Sequence, residues 1–318
     1  RFIKKIIMRI VVTGGCGYIG TCLTEDLLKN GFKVIVIDNQ WFGNYLKRHK
    51  NLKVIKKDIR EINDIKLKNI YAIVHLANIA NDPGVDLNPT LSWEVNVLAT
   101  KYLLEKAKKL KVKKFIYASS GSVYGIKKEK KVTEELDLVP ISTYNKTKMI
   151  AEKIIKSYEN DMKVYCIRPA TVCGYSPRMR LDVSVNALTF QALNKKEINV
   201  FGGSQVRPNI HMKDMVRVYL HFIKKNIKPG VYNAGFENLS ILNLARKIKD
   251  KINCKISITR SNDPRSYRQN SDKLIRTGFK KKYSINDAID EITFFYKKKK
   301  IKNKKICFTV KWMNKLKL

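Results

Sequence analysis

A doubly wound α/β sheet is the fold this sequence predicts, on three observations. Short β-branched apolar runs alternate with longer amphipathic stretches through the first half of the 318 residues. The runs are apolar almost throughout, as in strands buried on both faces of a parallel sheet. A glycine-rich turn joins the first run to the first amphipathic stretch, which is the strand–turn–helix opening of a Rossmann sheet.

The predicted strands lie at 9–12, 33–37, 52–55, 72–76, 114–117 and 163–167. Helical patterns fall between them at 19–30, 93–110 and 142–158. The pattern loosens after Arg168-Pro169, where helices near 183–194, 212–225, 240–252 and 285–297 alternate with short strands near 198–201, 230–233 and 255–259. The expected organisation is a Rossmann domain over 1–174 and a smaller α/β substrate lobe over 175–318. The segment near 212–235 is expected to return to the first domain. No Pro/Gly/Ser-rich linker separates the two, so the lobes should pack closely.

The formal net charge is +38, from 65 basic and 27 acidic residues. A nucleic-acid site would concentrate that charge. Here the lysines are dispersed and the sequence is rich in Lys, Asn, Ile and Tyr together, so no sequence-specific nucleic-acid binding is expected. The densest run, 297–318, holds ten lysines and no acid. It reads as a solvated end segment anchored by Phe308, Val310 and Trp312. Six cysteines form no C-x-x-C pair and there are four histidines, so no metal site or disulfide framework is expected. Free thiols fit a reducing cytoplasm. No stretch reaches the ~20 apolar residues of a membrane span. Met8 reads as the natural start, with the seven residues before it an extension.

The chemistry begins at Thr13-Gly14-Gly15-Cys16-Gly17-Tyr18-Ile19-Gly20, where Gly15, Gly17 and Gly20 form G-x-G-x-x-G. The first glycine permits a tight turn, the second lets a pyrophosphate approach the backbone, and the third lets helix pack on strand. The helix N-terminus then offers unpaired N–H groups to the phosphates. Asp38 ends the second strand, 18 residues beyond Gly20. A carboxylate there accepts bonds from the adenosine ribose and repels a 2′-phosphate, so NAD is favoured over NADP.

Tyr144 and Lys148 form Y-x-x-x-K in a helical stretch, placing both on one face. Lowering a phenol pKa by ~2–3 units needs roughly 3–4 kcal/mol, which an adjacent ammonium and a positive nicotinamide are expected to supply. Ser119 to Gly125 form a serine-rich loop after the strand ending near Tyr117. Ligands of open α/β sheets bind at that edge, and a serine there can bond a reacting oxygen.

With these pieces in this order, the chain resembles the extended short-chain dehydrogenase/reductases of the NAD-dependent epimerase/dehydratase family. The likeness spans nearly the whole chain: Thr13 to Gly20, Asp38, Asp58-Ile59, His75-Leu76-Ala77, Asn96, Ser119 to Gly125, Tyr144 with Lys148, Arg168-Pro169, and Arg207-Pro208-Asn209-Ile210-His211. It implies Ser120 as hydroxyl partner, Tyr144 as acid/base, and Lys148 bonding the nicotinamide ribose. It implies cofactor contacts from Gly14, Gly15, Gly17, Tyr18, Ile19, Gly20, Asp38, Asp58, Ile59, Leu76, Ala77 and Asn96. It also implies substrate contacts from Ser120, Ser122, Thr171, Asn186, Val200, Arg207 and Arg265, the arginines gripping a nucleotide diphosphate. His75 and His211 read as structural. A homodimer through helices 93–110 and 144–158 follows from the likeness.

Dehydratases of this family place Asp-Glu directly after the catalytic Ser/Thr, and decarboxylases place a glutamate in the same loop. Here Gly121-Ser122 follow Ser120. The loop resembles that of 4-epimerases, which need only reversible hydride transfer. Thr171 departs from the asparagine of many relatives. A nucleotide-sugar epimerase with NAD is therefore expected, beside two alternatives: a nucleotide-sugar oxidoreductase, and a non-catalytic nucleotide- or RNA-binding member.

Overall fold

The structure is a computed structural model that describes residues 8–260 and 266–318. Its first strands and helices follow the predicted alternation: β1 (Arg9–Thr13), α1 (Tyr18–Lys29), β2 (Lys33–Asp38), β3 (Leu52–Lys56) and β4 (Ala72–His75). Two short helices come next, α2 (Asp82–Val85) and α3 (Pro89–Trp93), then α4 (Ala99–Lys109), β5 (Lys114–Ala118), α5 (Thr143–Lys156) and β6 (Lys163–Pro169). The second part holds β7 (Thr171–Cys173), α6 (Ser184–Lys195), β8 (Glu197–Phe201), β9 (Val206–His211) and α7 (Met212–Lys224). It continues with β10 (Gly230–Ala234), β11 (Glu237–Ser240), α8 (Ile241–Lys249) and β12 (Lys255–Thr259), and closes with α9 (Asp272–Arg276), α10 (Ile285–Lys297) and α11 (Thr309–Leu316).

Seven parallel strands form the main sheet in the order β10-β6-β5-β4-β1-β2-β3. The chain re-enters this sheet at β10, after α7 has packed beside α1. Strand β1 shows why the predicted strands are apolar on both faces. Ile10 and Val12 join one core, Val11 joins the core on the opposite face, and all three are buried. The strand order reverses between β1 and β4, so their C-terminal ends open a crevice where a ligand can enter.

The smaller lobe carries the parallel pair β8–β12, with α6, α8 and α10 supplying Leu188, Ile248 and Ile289 to its own core. A three-stranded sheet, β11-β9-β7, lies between the lobes. These three strands were not predicted: they are short, carry Pro208 and polar residues, and exist only through long-range pairing.

Two further departures matter for the site. The stretch 93–110 is not one α-helix, because residues Glu94–Leu98 form a π-helical turn. That turn presents Asn96 to the backbone of Ile79, accepting from its N–H at 2.8 Å and donating to its carbonyl at 3.1 Å. The basic tail, too, is not a solvated end. Its lysines face water, but Met313 is buried in the α4/α5 core, the Thr309 amide donates to Asp182, and the Trp312 indole donates to the Trp41 carbonyl at 2.6 Å. The segment is a strap laid from the second lobe to the loop after β2. Phe308 and Trp312 anchor it as the sequence suggests, and the buried Met313 adds a contact that the lysine-dense sequence does not signal. Among the described residues, no helix is long and apolar enough to cross a membrane. The six cysteines are unpaired.

Candidate active site

A cleft of about 790 Å³ runs along the C-terminal ends of β1, β2, β4 and β5 and continues between the lobes. Its inner floor is the glycine turn. Gly14 has a positive φ of +70°, and a Cβ there would meet the Ala77 nitrogen at 2.6 Å. Gly14, not Gly15, is thus the residue that makes the turn possible. Gly15 stands behind the wall, against Val36. A Cβ on Gly20 would lie 2.1 Å from the Gly14 carbonyl, so helix and turn touch there. Helix α1 has no side-chain N-cap, and residues 16–20 line the cleft with its first amides. That cradle fits a dinucleotide pyrophosphate.

Asp38 closes the cleft's outer end. Its carboxylate accepts from the Cys16 amide at 2.9 Å and the Gln40 amide at 2.7 Å. Burial pushes its pKa up, while the two amides and the Arg178 charge pull it down. Asp58, Ile59, Leu76 and Ala77 continue the wall. Arg178, 4% exposed, lies 4.1 Å over the Phe42 ring. Its Nε and Nη1 have no partner among the described residues, and burial beside Arg180 pushes it down to about 10. Thr309 and Met313 of the strap complete this end, a contribution that the sequence reading missed.

Ser120, Tyr144 and Lys148 converge at the middle of the cleft. Helix α5 starts on Ser142, whose side chain caps the Asn145 amide, and this fixes where Tyr144 enters the wall. Ser122 Oγ donates to Asn145 Oδ1 at 2.6 Å, and its only proton is used there. Ser120 Oγ, 2.8 Å from Ser122 Oγ, therefore donates to it. Asn145 thereby ties the serine loop to α5, a role the sequence did not signal.

Lys148 is buried and donates to the Ala118 carbonyl at 2.7 Å, with its Nζ 5.9 Å from the Tyr144 ring centre. Burial pushes it down to about 7, against the charge of Glu152. Burial pushes the Tyr144 phenol up to about 12, against the Ser120 hydroxyl and the Arg180 charge, with Asp82 raising it further. The expected lowering of the phenol by Lys148 is therefore not built into the protein alone.

Three other residues expected at the site stand outside the cleft lining. Asn96 braces Ile79 and donates to Thr147. Asn186 is fully buried, donates to the Tyr18 hydroxyl at 2.9 Å and accepts from the Gly174 amide at 3.0 Å. It joins α1 to the second lobe and does not face the cleft. Val200 points into the second lobe's core, and its neighbours Asn199 and Phe201 face the cleft instead, because alternate strand residues point to opposite sides. Arg265 lies outside the described residues. Thr171, Ser122 and Arg207 line the cleft.

His75 and His211 are held structurally. Thr100 gives its proton to the Asn96 carbonyl, so His75 Nε2–H donates to Thr100 and Nδ1 accepts from Thr13 at 2.6 Å. His211 caps α7 through the Lys213 amide.

A family model described as the NAD dependent epimerase/dehydratase family matches residues 10–235. The chain belongs to that family. Within it, an uncharacterized UDP-glucose epimerase of Bacillus subtilis, YtcB, is 32% identical over 76% of this chain and 82% of its own. UDP-glucuronic acid decarboxylase 1 of Xenopus tropicalis is 28% identical over 77% of this chain, which spans about 60% of that relative's length. Among solved structures, the UDP-glucuronic acid 4-epimerase of Bacillus cereus, in complex with UDP-glucuronic acid and NAD, has a TM-score of 0.79 at 27% identity. That match covers 92% of this chain and 99% of the other. The family is NAD dependent by description, and the glycine cradle and Asp38 of this member fit that cofactor.

Proposed function

We propose that this family member is an NAD-dependent nucleotide-sugar epimerase that inverts C4 through a transient 4-keto sugar. The observation that carries the reading is the serine loop. The loop from Ala118 to Gly125 carries no carboxylate, and Ser122, where relatives that eliminate water or carbon dioxide place one, is committed to Asn145. Kinship with UDP-sugar epimerases supports the same reading.

NAD, held by the glycine turn and Asp38, would supply a hydride acceptor and donor for the sugar carbon. Tyr144 holds the proton of the reacting hydroxyl, and Ser120 bonds the same oxygen. Lys148 binds the nicotinamide ribose, one side chain away from the phenol. Burial raises the phenol and lowers the lysine in the protein alone, so a cationic nicotinamide in the cleft would favour the phenolate. Gly17 and the α1 amides receive the cofactor pyrophosphate, and Asp38 receives the adenosine ribose. Arg207, Thr171 and Phe201 receive the nucleotide end of the substrate, joined by Arg265. We also place a two-fold contact on α4 and α5, beside the exposed Leu98 of the π-turn and Tyr102 of α4. Light scattering at micromolar concentration tests that contact.

The deciding experiment incubates the protein with NAD and a panel of UDP-, dTDP-, GDP- and CDP-sugars, following sugar isomers and reduced-nicotinamide absorbance together. Isomer formation without net reduction is expected. Accumulating reduced cofactor would replace the proposal with an oxidoreductase, and loss of water or carbon dioxide would replace it with a lyase.

A further inference from the structure

Tyr144, Lys148 and Glu152 stand four residues apart on α5 and share one stripe of the helix. Glu152 is buried at 6% exposure and lies behind the cleft lining. Its Oε1 accepts from Ser119 Oγ at 2.5 Å and from Arg168 Nε at 3.0 Å, while Oε2 accepts from Arg168 Nη2 at 2.7 Å. The third guanidinium nitrogen donates to the Tyr124 hydroxyl at 2.8 Å, which donates in turn to Asn233 Oδ1. One carboxylate thus joins α5 to the ends of β5 and β6. Ala118, which accepts from Lys148, and Ser119, which donates to Glu152, directly precede Ser120.

We infer that Glu152 is the positioning residue of this centre, clasping the end of β5 to α5 so that Ser120 meets Tyr144 while balancing the buried ammonium of Lys148. The inference rests on the reading of Ser120, Tyr144 and Lys148 as the reactive set. Three charges are buried together here: Lys148, Arg168 and Glu152. Without the carboxylate, two cations would share one apolar pocket. The other groups facing Lys148 do not replace it. Tyr117 presents its ring 4.6 Å away, His75 is held neutral, Cys166 is a buried thiol whose pKa is raised, and Tyr144 is protonated at rest. Glu152 thus does most to favour the Lys148 ammonium against its burial.

The test is a titration of the Lys148 side chain by NMR in the full, cofactor-free chain with isotope-labelled lysine, its signal assigned by loss in Lys148→Arg. Glu152→Gln is expected to lower the Lys148 midpoint by about one pH unit or more. The alkaline limb of turnover, where the ammonium is lost, should move down with it. Ser119→Ala is expected to leave the midpoint in place and to reduce kcat more than it raises KM. Should Glu152→Gln fail to fold, Glu152→Gln with Arg168→Met removes both charges at similar volume, and the midpoint is expected to fall by less, because one cation leaves with the carboxylate. An unmoved Lys148 midpoint in the folded variant, with melting temperature alone reduced, overturns the inference and leaves Glu152 a fold-stabilising residue. Because the titration needs no substrate, that outcome is distinct from a failure of the proposed activity.

Discussion

Lys148 Nζ sits 5.9 Å from the centre of the Tyr144 ring and gives a hydrogen bond to Ala118, not to the phenol. The two residues are neighbours on one helix face but are coupled through the space between them, where a ribose and a sugar oxygen must enter. Tyr144→Phe should then leave cofactor affinity within a few-fold of wild type, since the ring still packs and Lys148 is untouched. Turnover should fall by at least ~10²-fold, the lower range for general acid–base help. Calorimetric titration with NAD and an isomerisation assay check the two halves separately.

The glycine turn gives a sharper steric expectation. A methyl group added at Gly20 would lie 2.1 Å from the Gly14 carbonyl and 2.6 Å from the Gly15 Cα, both backbone atoms that cannot swing aside. Gly20→Ala should destabilise the fold by about 1–3 kcal/mol and weaken NAD binding by more than about tenfold. Thermal melts with and without NAD should show a lower melting temperature and a smaller ligand-induced rise.

His75 sets an acid limit on stability. Burial and the Lys148 charge hold its pKa down to about 3, against an ordinary 6.5. Between those values the unfolded chain takes up a proton that the folded chain refuses. Stability is therefore lost as pH falls from about 6.5 towards 3, at about 1.4 kcal/mol per pH unit for this group. His75→Gln removes the titration, so its melting temperature should fall less steeply than that of wild type between pH 6.5 and 4.5.

The strap offers a prediction about binding kinetics. Trp312→Ala with Met313→Ala deletes the bond to Trp41 and part of the cleft wall while leaving the central sheet intact. NAD should dissociate about tenfold faster, a change of roughly 1.4 kcal/mol, with kcat at saturating cofactor little altered. Stopped-flow displacement measures the rate. An unchanged rate would reduce the strap to a packing element.

What the sequence made legible follows a physical divide. The strands of the main sheet, the glycine turn, Asp38 and the Tyr144–Lys148 face are local patterns, and each is written in consecutive or helically spaced residues. The π-turn at Asn96, the sheet β11-β9-β7 and the strap are not local. They depend on partners tens to hundreds of residues away, as Trp312 depends on Trp41. Val200 was misplaced by one position because the face of the strand that meets the cleft is set by α6 and α8 packing on its other face, not by the strand itself. Asn186 has the chemistry of a ligand contact, and only its neighbours reveal that Tyr18 and Gly174 already engage it.

Trp41 and Trp312 are two of the chain's three tryptophans, and the strap holds them together at one end of the cleft. Indole emits where the reduced nicotinamide ring absorbs and the oxidised ring does not. Their contact is thus a built-in optical gauge: dihydronicotinamide in the cleft should quench the protein's own fluorescence by energy transfer, and release of the strap should change its colour. The oxidation state of the cofactor during a turnover and the motion of the segment over it would then be followed in the unlabelled protein, each by its own spectral signature.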